Sequence, residues 1–272
     1  MSGWVDGCPA ELLSVKDRGL AYGDGLFETI AVRAGRPTLL SRHLQRLHNG
    51  CERFALSVDP ALIHDEVVAF AEQLGDGVMK LILTRGDGQR GYMPDPHARA
   101  RRILQGGPMP VYSADNAENG VRLYPCKTRL AEQPLLAGLK HLNRLEQVLA
   151  RAEWEGPEYA EGLMRDTSGR IIEGVFSNLF LIKDGVAITA SLERCGVAGV
   201  MRGALIDEAS ATGIEIVVRH IQLSELQQAD ELFVCNSVYG IWPVRGVEQL
   251  SWPVGPLTRK LQRTALALLD IA

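Results

Sequence analysis

The stretch Gly138-Leu-Lys-His-Leu-Asn-Arg-Leu-Glu-Gln147 opens the second half of a 272-residue chain. On a helical projection of 134–154, Leu142, Leu145, Leu149 and Ala152 fall on one side, while Lys140, Asn143 and Arg144 fall on the other. The spacing predicts an amphipathic helix from about Pro134 to Trp154. Periodicity alone leaves the polar side two fates, facing water or lining a cleft between domains.

Outward from this segment, strand-like runs alternate with helical patterns, which points to an α/β (α+β) fold class. Gly106 to Gly120 is rich in Gly, Pro, Asn and Asp and sets the boundary. The expectation is a smaller N-terminal α/β domain over 1–110, a linker over 111–120 and a larger C-terminal domain over 121–272 that carries Lys140. In the first, Leu40, Leu44, Leu47 and Phe54 recur at helical spacing, and Met79 to Leu83 reads as a short strand. In the second, Arg170 to Val175 and Leu179 to Ile182 read as paired strands. A helix is expected near Gly199 and another from Pro256 through Leu268, since proline suits a first helical turn.

Composition narrows the function classes. A formal net charge of −4 gives no broad footprint for a polyanion, so neither nucleic acid nor an acidic membrane surface is an expected partner. Cys8, Cys51, Cys126, Cys195 and Cys235 are widely spaced and read as buried apolar fillers in a reducing compartment. Without a basic, apolar leader pattern over Met1 to Cys8, the expectation is a soluble cytoplasmic protein. Gly86-Asp-Gly-Gln-Arg-Gly91 matches G-x-G-x-x-G, but Pro94 and Pro96 follow where a dinucleotide site needs a helix. His43 and His48, about 140° apart on a helix, cannot share a metal, and no metal site is expected.

The lysine stretch itself closely resembles the lysine segment of the aminodeoxychorismate lyases. These form a family within the fold-type IV (class IV aminotransferase-like) pyridoxal-phosphate enzymes. Tyr22-Gly-Asp-Gly-Leu-Phe-Glu-Thr29, His43-Leu-Gln-Arg-Leu47, Glu173-Gly-Val-Phe-Ser-Asn178 and Gly199-Val-Met-Arg202 agree in order and spacing with the wider family. The resemblance implies a two-domain fold with pyridoxal 5'-phosphate in the cleft between domains and Lys140 holding it as a Schiff base. It implies Glu173 at the pyridine nitrogen, and Arg46, Ser237 and the backbone of Val200 and Met201 at the phosphate. Homodimerisation follows by the same analogy.

Lysine suits that role because its amine condenses with an aldehyde and, once displaced, becomes a base. Its ordinary pKa of about 10.4 must then be lowered, by burial and a nearby cation. Arg144, one helical turn on, and the cofactor's own ring cation are the two expected contributors. Glu173 lies among Ile171, Ile172, Val175 and Phe176, where an unpaired carboxylate is costly, so it needs a partner. The resemblance implies conversion of 4-amino-4-deoxychorismate to 4-aminobenzoate and pyruvate, a step in folate synthesis, with Arg90 and Tyr92 of the glycine loop meeting the substrate carboxylates. Two alternatives stay open: transamination of D-amino or branched-chain acids, and a cofactor-binding protein without turnover.

Overall fold

The computed structural model describes residues 3–270; Met1, Ser2, Ile271 and Ala272, the extreme limits of the expected domains, lie outside the described residues. The chain divides into two compact units, Met1–Val111 with Leu139–Asn143, and Tyr112–Gly138 with Arg144–Ala272.

The first unit is built on a six-stranded antiparallel sheet ordered Cys8–Ala10, Gly3–Val5, Arg101–Gly107, Gly77–Thr84, Gly25–Arg33 and Arg36–Pro37. Its fourth and fifth strands pair without a break from Gly25 opposite Thr84 to Val32 opposite Gly77. Because side chains alternate along a strand, Leu26, Ile30 and Val32 share a face with Met79, Leu81 and Leu83, and all six are buried. Leu47 and Cys51 from the Leu40–Phe54 helix, and Val67 and Phe70 from the Pro60–Leu74 helix, complete that core. Each such aliphatic or aromatic side chain contributes about 1.5–3 kcal/mol on leaving water. Asp59 caps the second helix by accepting from the amides of Ala61 and Leu62, with Pro60 in its first turn.

The second unit carries a nine-stranded sheet. Its order is Ile216–Arg219, Val186–Ala190, Asn178–Lys183, Glu231–Asn236, Gly240–Val247, Val121–Leu130, Glu161–Asp166 and Ile171–Gly174, with Leu250–Ser251 paired to Gly240–Val247. Asn178 opposite Glu173 joins the last of these strands back to the third, closing a ring. Leu123, Leu163, Leu179, Leu181, Val234 and Val244 form its main apolar cluster. The expected helices start at Val200 and Pro256. Glu231 caps the latter from a distant strand, accepting from the amides of Leu257 and Thr258.

Four expectations are corrected. The helix over 134–154 shrinks to Leu145–Arg151, because Gly138 takes φ +79° and the next residues pair with a strand instead of coiling. Lys140 consequently belongs to the first unit, and no helix carries it one turn before Arg144. The segment 111–120 is not a bare linker: it holds the Asp115–Glu118 helix, and the Tyr112 ring sits edge-on to Trp242 at 4.8 Å. Cys8 is exposed on its edge strand, whereas the other four cysteines are buried. No helix among the described residues is long and apolar enough to cross a membrane.

Candidate active site

Lys140 is set by backbone pairing. Its carbonyl accepts the Phe27 amide at 2.9 Å, the Leu142 amide donates to the Gly25 carbonyl at 3.0 Å, and His141 stands antiparallel to Leu26. Residues 139–143 therefore run as an extended strip along the Gly25–Arg33 strand, locked at the far end by Asn143 Nδ2 donating to the Gly23 carbonyl at 3.1 Å. The half-buried Lys140 ammonium lies over the Phe27 ring, 4.4 Å from its centroid, and Lys80 Nζ lies 4.9 Å from the same centroid. The negative face of an aromatic ring attracts a cation electrostatically.

On the same strand, alternation places Glu28 on the buried apolar face between Leu26 and Ile30, so its charge requires partners. They come from one turn of the Leu40–Phe54 helix. Arg46 Nε donates to Oε1 at 2.7 Å and Arg46 Nη2 donates to Oε2, while His43 Nδ1 meets Oε2 at 2.6 Å. Burial raises the Glu28 pKa, but the Arg46 charge and the His43 hydrogen bond outweigh it and hold the carboxyl at about 2. Burial in turn pushes His43 down, against the pull of Glu28. A carboxylate only accepts, so Nδ1 carries the His43 proton; Nε2 is buried without a hydrogen-bond partner among the described residues.

The glycine loop has the irregular course its prolines require, with no helix between Gly86 and Ala100. Arg18 braces it: Nη1 donates to the Gly91 carbonyl at 3.0 Å, Nη2 to the Tyr92 carbonyl at 2.8 Å, and Nε to Asp24 at 2.9 Å. Arg90 and Tyr92 are both exposed, and the Tyr92 ring lies 5.5 Å from that of Tyr22.

In the second unit, Glu173 is 3% exposed and its Oε2 accepts the Val197 amide at 2.8 Å. Asn178, its cross-strand neighbour, donates to the Val197 carbonyl at 2.9 Å, so two side chains hold the backbone of one residue on either side of its Cα. Two residues later Gly199 caps the Val200–Asp207 helix in an extended conformation with no side-chain cap. A Cβ there would stand 1.9 Å from Asn178 Oδ1, so only glycine fits. Val200 and Met201 are buried in the first turn, and their helix end presents N–H groups and a positive dipole end. Arg202 is buried too, donating to Thr189 Oγ1 and the Ala190 carbonyl; burial lowers its pKa, opposed by Cys235 and Glu173. Ser237 sits in the turn between Glu231–Asn236 and Gly240–Val247.

The structure thus groups Lys140, Arg46 and the glycine loop in one unit, and Glu173, Val200, Met201 and Ser237 in the other. Sequence reasoning missed Glu28 and Glu161. For Glu28 the signal was available, a carboxylate in phase with Leu26, Ile30 and Val32. For the buried Glu161 there was none, because its partners at 175–177 lie on another strand's turn.

The family described as amino-transferase class IV matches residues 25–247. The aminodeoxychorismate lyase of Vibrio harveyi is 35% identical over 95% of this chain and 97% of its own. The branched-chain-amino-acid aminotransferase of Escherichia coli K12 is 28% identical over 93% and 87%. Among solved structures, 4-amino-4-deoxychorismate lyase from Pseudomonas aeruginosa superimposes with a TM-score of 0.97 at 59% identity, covering 98% of this chain and 99% of that one. Sheets, helices and lysine segment together lead to one assignment: the chain belongs to the class IV amino-transferase family.

Proposed function

We propose that this protein is a pyridoxal 5'-phosphate-dependent lyase that converts 4-amino-4-deoxychorismate to 4-aminobenzoate and pyruvate. The observation that carries the reading is Lys140, a lysine held by strand pairing to Gly25 and Phe27 in a chain 59% identical to the P. aeruginosa lyase. Transamination needs the same lysine, but the lyase relative shares 35% identity where the E. coli aminotransferase shares 28%.

The donor set fits the cofactor. Lys140 supplies a primary amine for its aldehyde. Glu173 offers a buried carboxylate for the pyridine nitrogen, already oriented by Val197. The uncapped amide end at Val200 and Met201 suits a phosphate, with Arg46 and Ser237 as its further partners in this reading. Glu28 bonds two Arg46 nitrogens and so fixes the plane of the guanidinium.

When bound, the cofactor draws electrons from the carbon that bears the substrate amine. Lys140, its amine then free, would take the ring proton beside the nitrogen. The C–O bond to the enolpyruvyl group would then break with its electron pair going to oxygen; the enolate leaving takes up one proton to become pyruvate, matching the one taken from the ring, and the ring is left as aromatic 4-aminobenzoate. Arg90 and Tyr92 supply a cation and a hydroxyl for the substrate carboxylates. The protein acts in the cytoplasm as a homodimer in this reading.

The test supplies 4-amino-4-deoxychorismate and follows 4-aminobenzoate, then supplies D- or branched-chain amino acids with 2-oxoglutarate and follows keto-acid formation. Product in the first assay is expected. Turnover only in the second overturns the lyase reading in favour of transamination, and turnover in neither leaves a cofactor-binding protein. Borohydride reduction followed by peptide mass spectrometry must place the label on Lys140.

A further inference from the structure

Glu161 is a second buried carboxyl of this unit, fully enclosed at the start of the Glu161–Asp166 strand, and the chemistry above does not use it. Four donors converge on it. Its Oε1 accepts the amides of Gly162 at 2.8 Å and Val175 at 2.9 Å; its Oε2 accepts the amide of Phe176 at 3.3 Å and the hydroxyl of Ser177 at 2.7 Å. Three of those donors form one tight turn, closed by the Gly174 amide donating to the Ser177 carbonyl at 2.7 Å. The turn is packed around the carboxyl: a Cβ on Gly174 would stand 2.2 Å from Ser177 Oγ and 2.9 Å from Glu161. Glu173 enters this turn and Asn178 leaves it, and these two side chains grip the Val197 peptide ahead of the Gly199 helix cap.

We infer that Glu161 is a positioning residue for Glu173, its carboxyl acting as the template on which the Gly174–Ser177 turn is folded, so that Glu173, Asn178 and the Val197 peptide are held in one arrangement. Backbone amides that a fold takes out of a strand ladder must find other acceptors, and here a side chain from the neighbouring strand replaces the ladder that the turn interrupts. Removing the template leaves the Val175 and Phe176 amides without it, and the turn must reopen to satisfy them.

The inference rests on the proposed role of Glu173 toward the pyridine nitrogen, so the experiment includes Glu173→Gln. Wild type, Glu161→Met, Glu161→Gln, Ser177→Ala and Glu173→Gln are compared by circular dichroism melting, by pyridoxal 5'-phosphate titration and by the visible absorbance band of the bound cofactor. Glu161→Met removes both acceptor oxygens at similar volume. It is expected to weaken cofactor binding roughly tenfold or more and to move the band in the direction that Glu173→Gln moves it. Glu161→Gln keeps an oxygen for Gly162 and Val175 and is expected to restore part of both effects. A folded Glu161→Met protein with wild-type affinity and band, changed only in melting temperature, overturns the inference. Should that variant not fold, Ser177→Ala removes one donor and must shift the band the same way by a smaller amount; a wild-type band in it overturns the inference. If Glu173→Gln itself leaves band and affinity unchanged, the reading of Glu173 fails, and the inference falls with it.

Discussion

The Glu28 carboxylate receives Arg46 along the edge of its guanidinium, Nε to Oε1 at 2.7 Å, in a position that alternation reserves for an apolar side chain. Glu28→Gln leaves the guanidinium and the His43 ring facing a neutral amide. The expected loss of stability is about 3–5 kcal/mol, the cost of removing one member of a buried charge pair. Urea unfolding at neutral pH measures it, and a loss below about 1 kcal/mol would show the pair to be superficial.

The same pair governs the acid limb. A folded pKa of about 2 against an ordinary 4.5 means that the Glu28 contribution is fully present above the ordinary value and is lost as pH falls toward 2. Stability followed by chemical denaturation from pH 5 to pH 2 should drop steeply in wild type and less steeply in Glu28→Gln.

Glu161 has the opposite sign. Burial outweighs the hydrogen bonds from Ser177, Gly162, Phe176 and Val175 and pushes the carboxyl up to about 7. The titratable groups that face it, Tyr112, Tyr239 and Cys126, are themselves raised by burial and stay uncharged at neutral pH. A raised folded pKa stabilises fully below the ordinary 4.5 and is lost as pH climbs through 7, a fall of about 3 kcal/mol. Glu161→Gln, which does not ionise, should flatten that decline between pH 5 and 8 in the same denaturation series.

Lys140→Ala should abolish 4-aminobenzoate formation, by a factor of about a thousand or more, and eliminate borohydride labelling. The strip should survive, because its hydrogen bonds to Gly25 and Phe27 are backbone bonds. A melting temperature close to wild type together with lost turnover is the expected pair of results. Retained turnover would remove Lys140 from the chemistry.

Gly199→Ala puts a methyl group 1.9 Å from Asn178 Oδ1. Asn178 must then release the Val197 carbonyl, at a cost of about 1–3 kcal/mol for overpacking. Pyridoxal 5'-phosphate affinity, read by absorbance titration, should fall alongside stability; unchanged affinity would argue that the helix end at Val200 does not hold the phosphate.

Some of this was written in local sequence. The Leu40–Phe54 helix, the paired strands around Glu173 and Asn178, and the helices opening at Val200 and Pro256 follow from period, turn residues and caps, which act over a few neighbours. The wording of 138–147 was enough to single out Lys140. Its setting was not legible. An amphipathic period over 134–154 competes with backbone pairing to Gly25 and Phe27, more than a hundred residues earlier, and Gly138 at φ +79° releases the chain into that pairing. Likewise, helical spacing brought His43 and Arg46 to one face, but only the sheet register put Glu28 against them, and only strand closure set Glu161 beneath the turn after Glu173. A carboxylate's charge state and aim depend on which distant groups it is buried with, and distance along the chain carries no record of that.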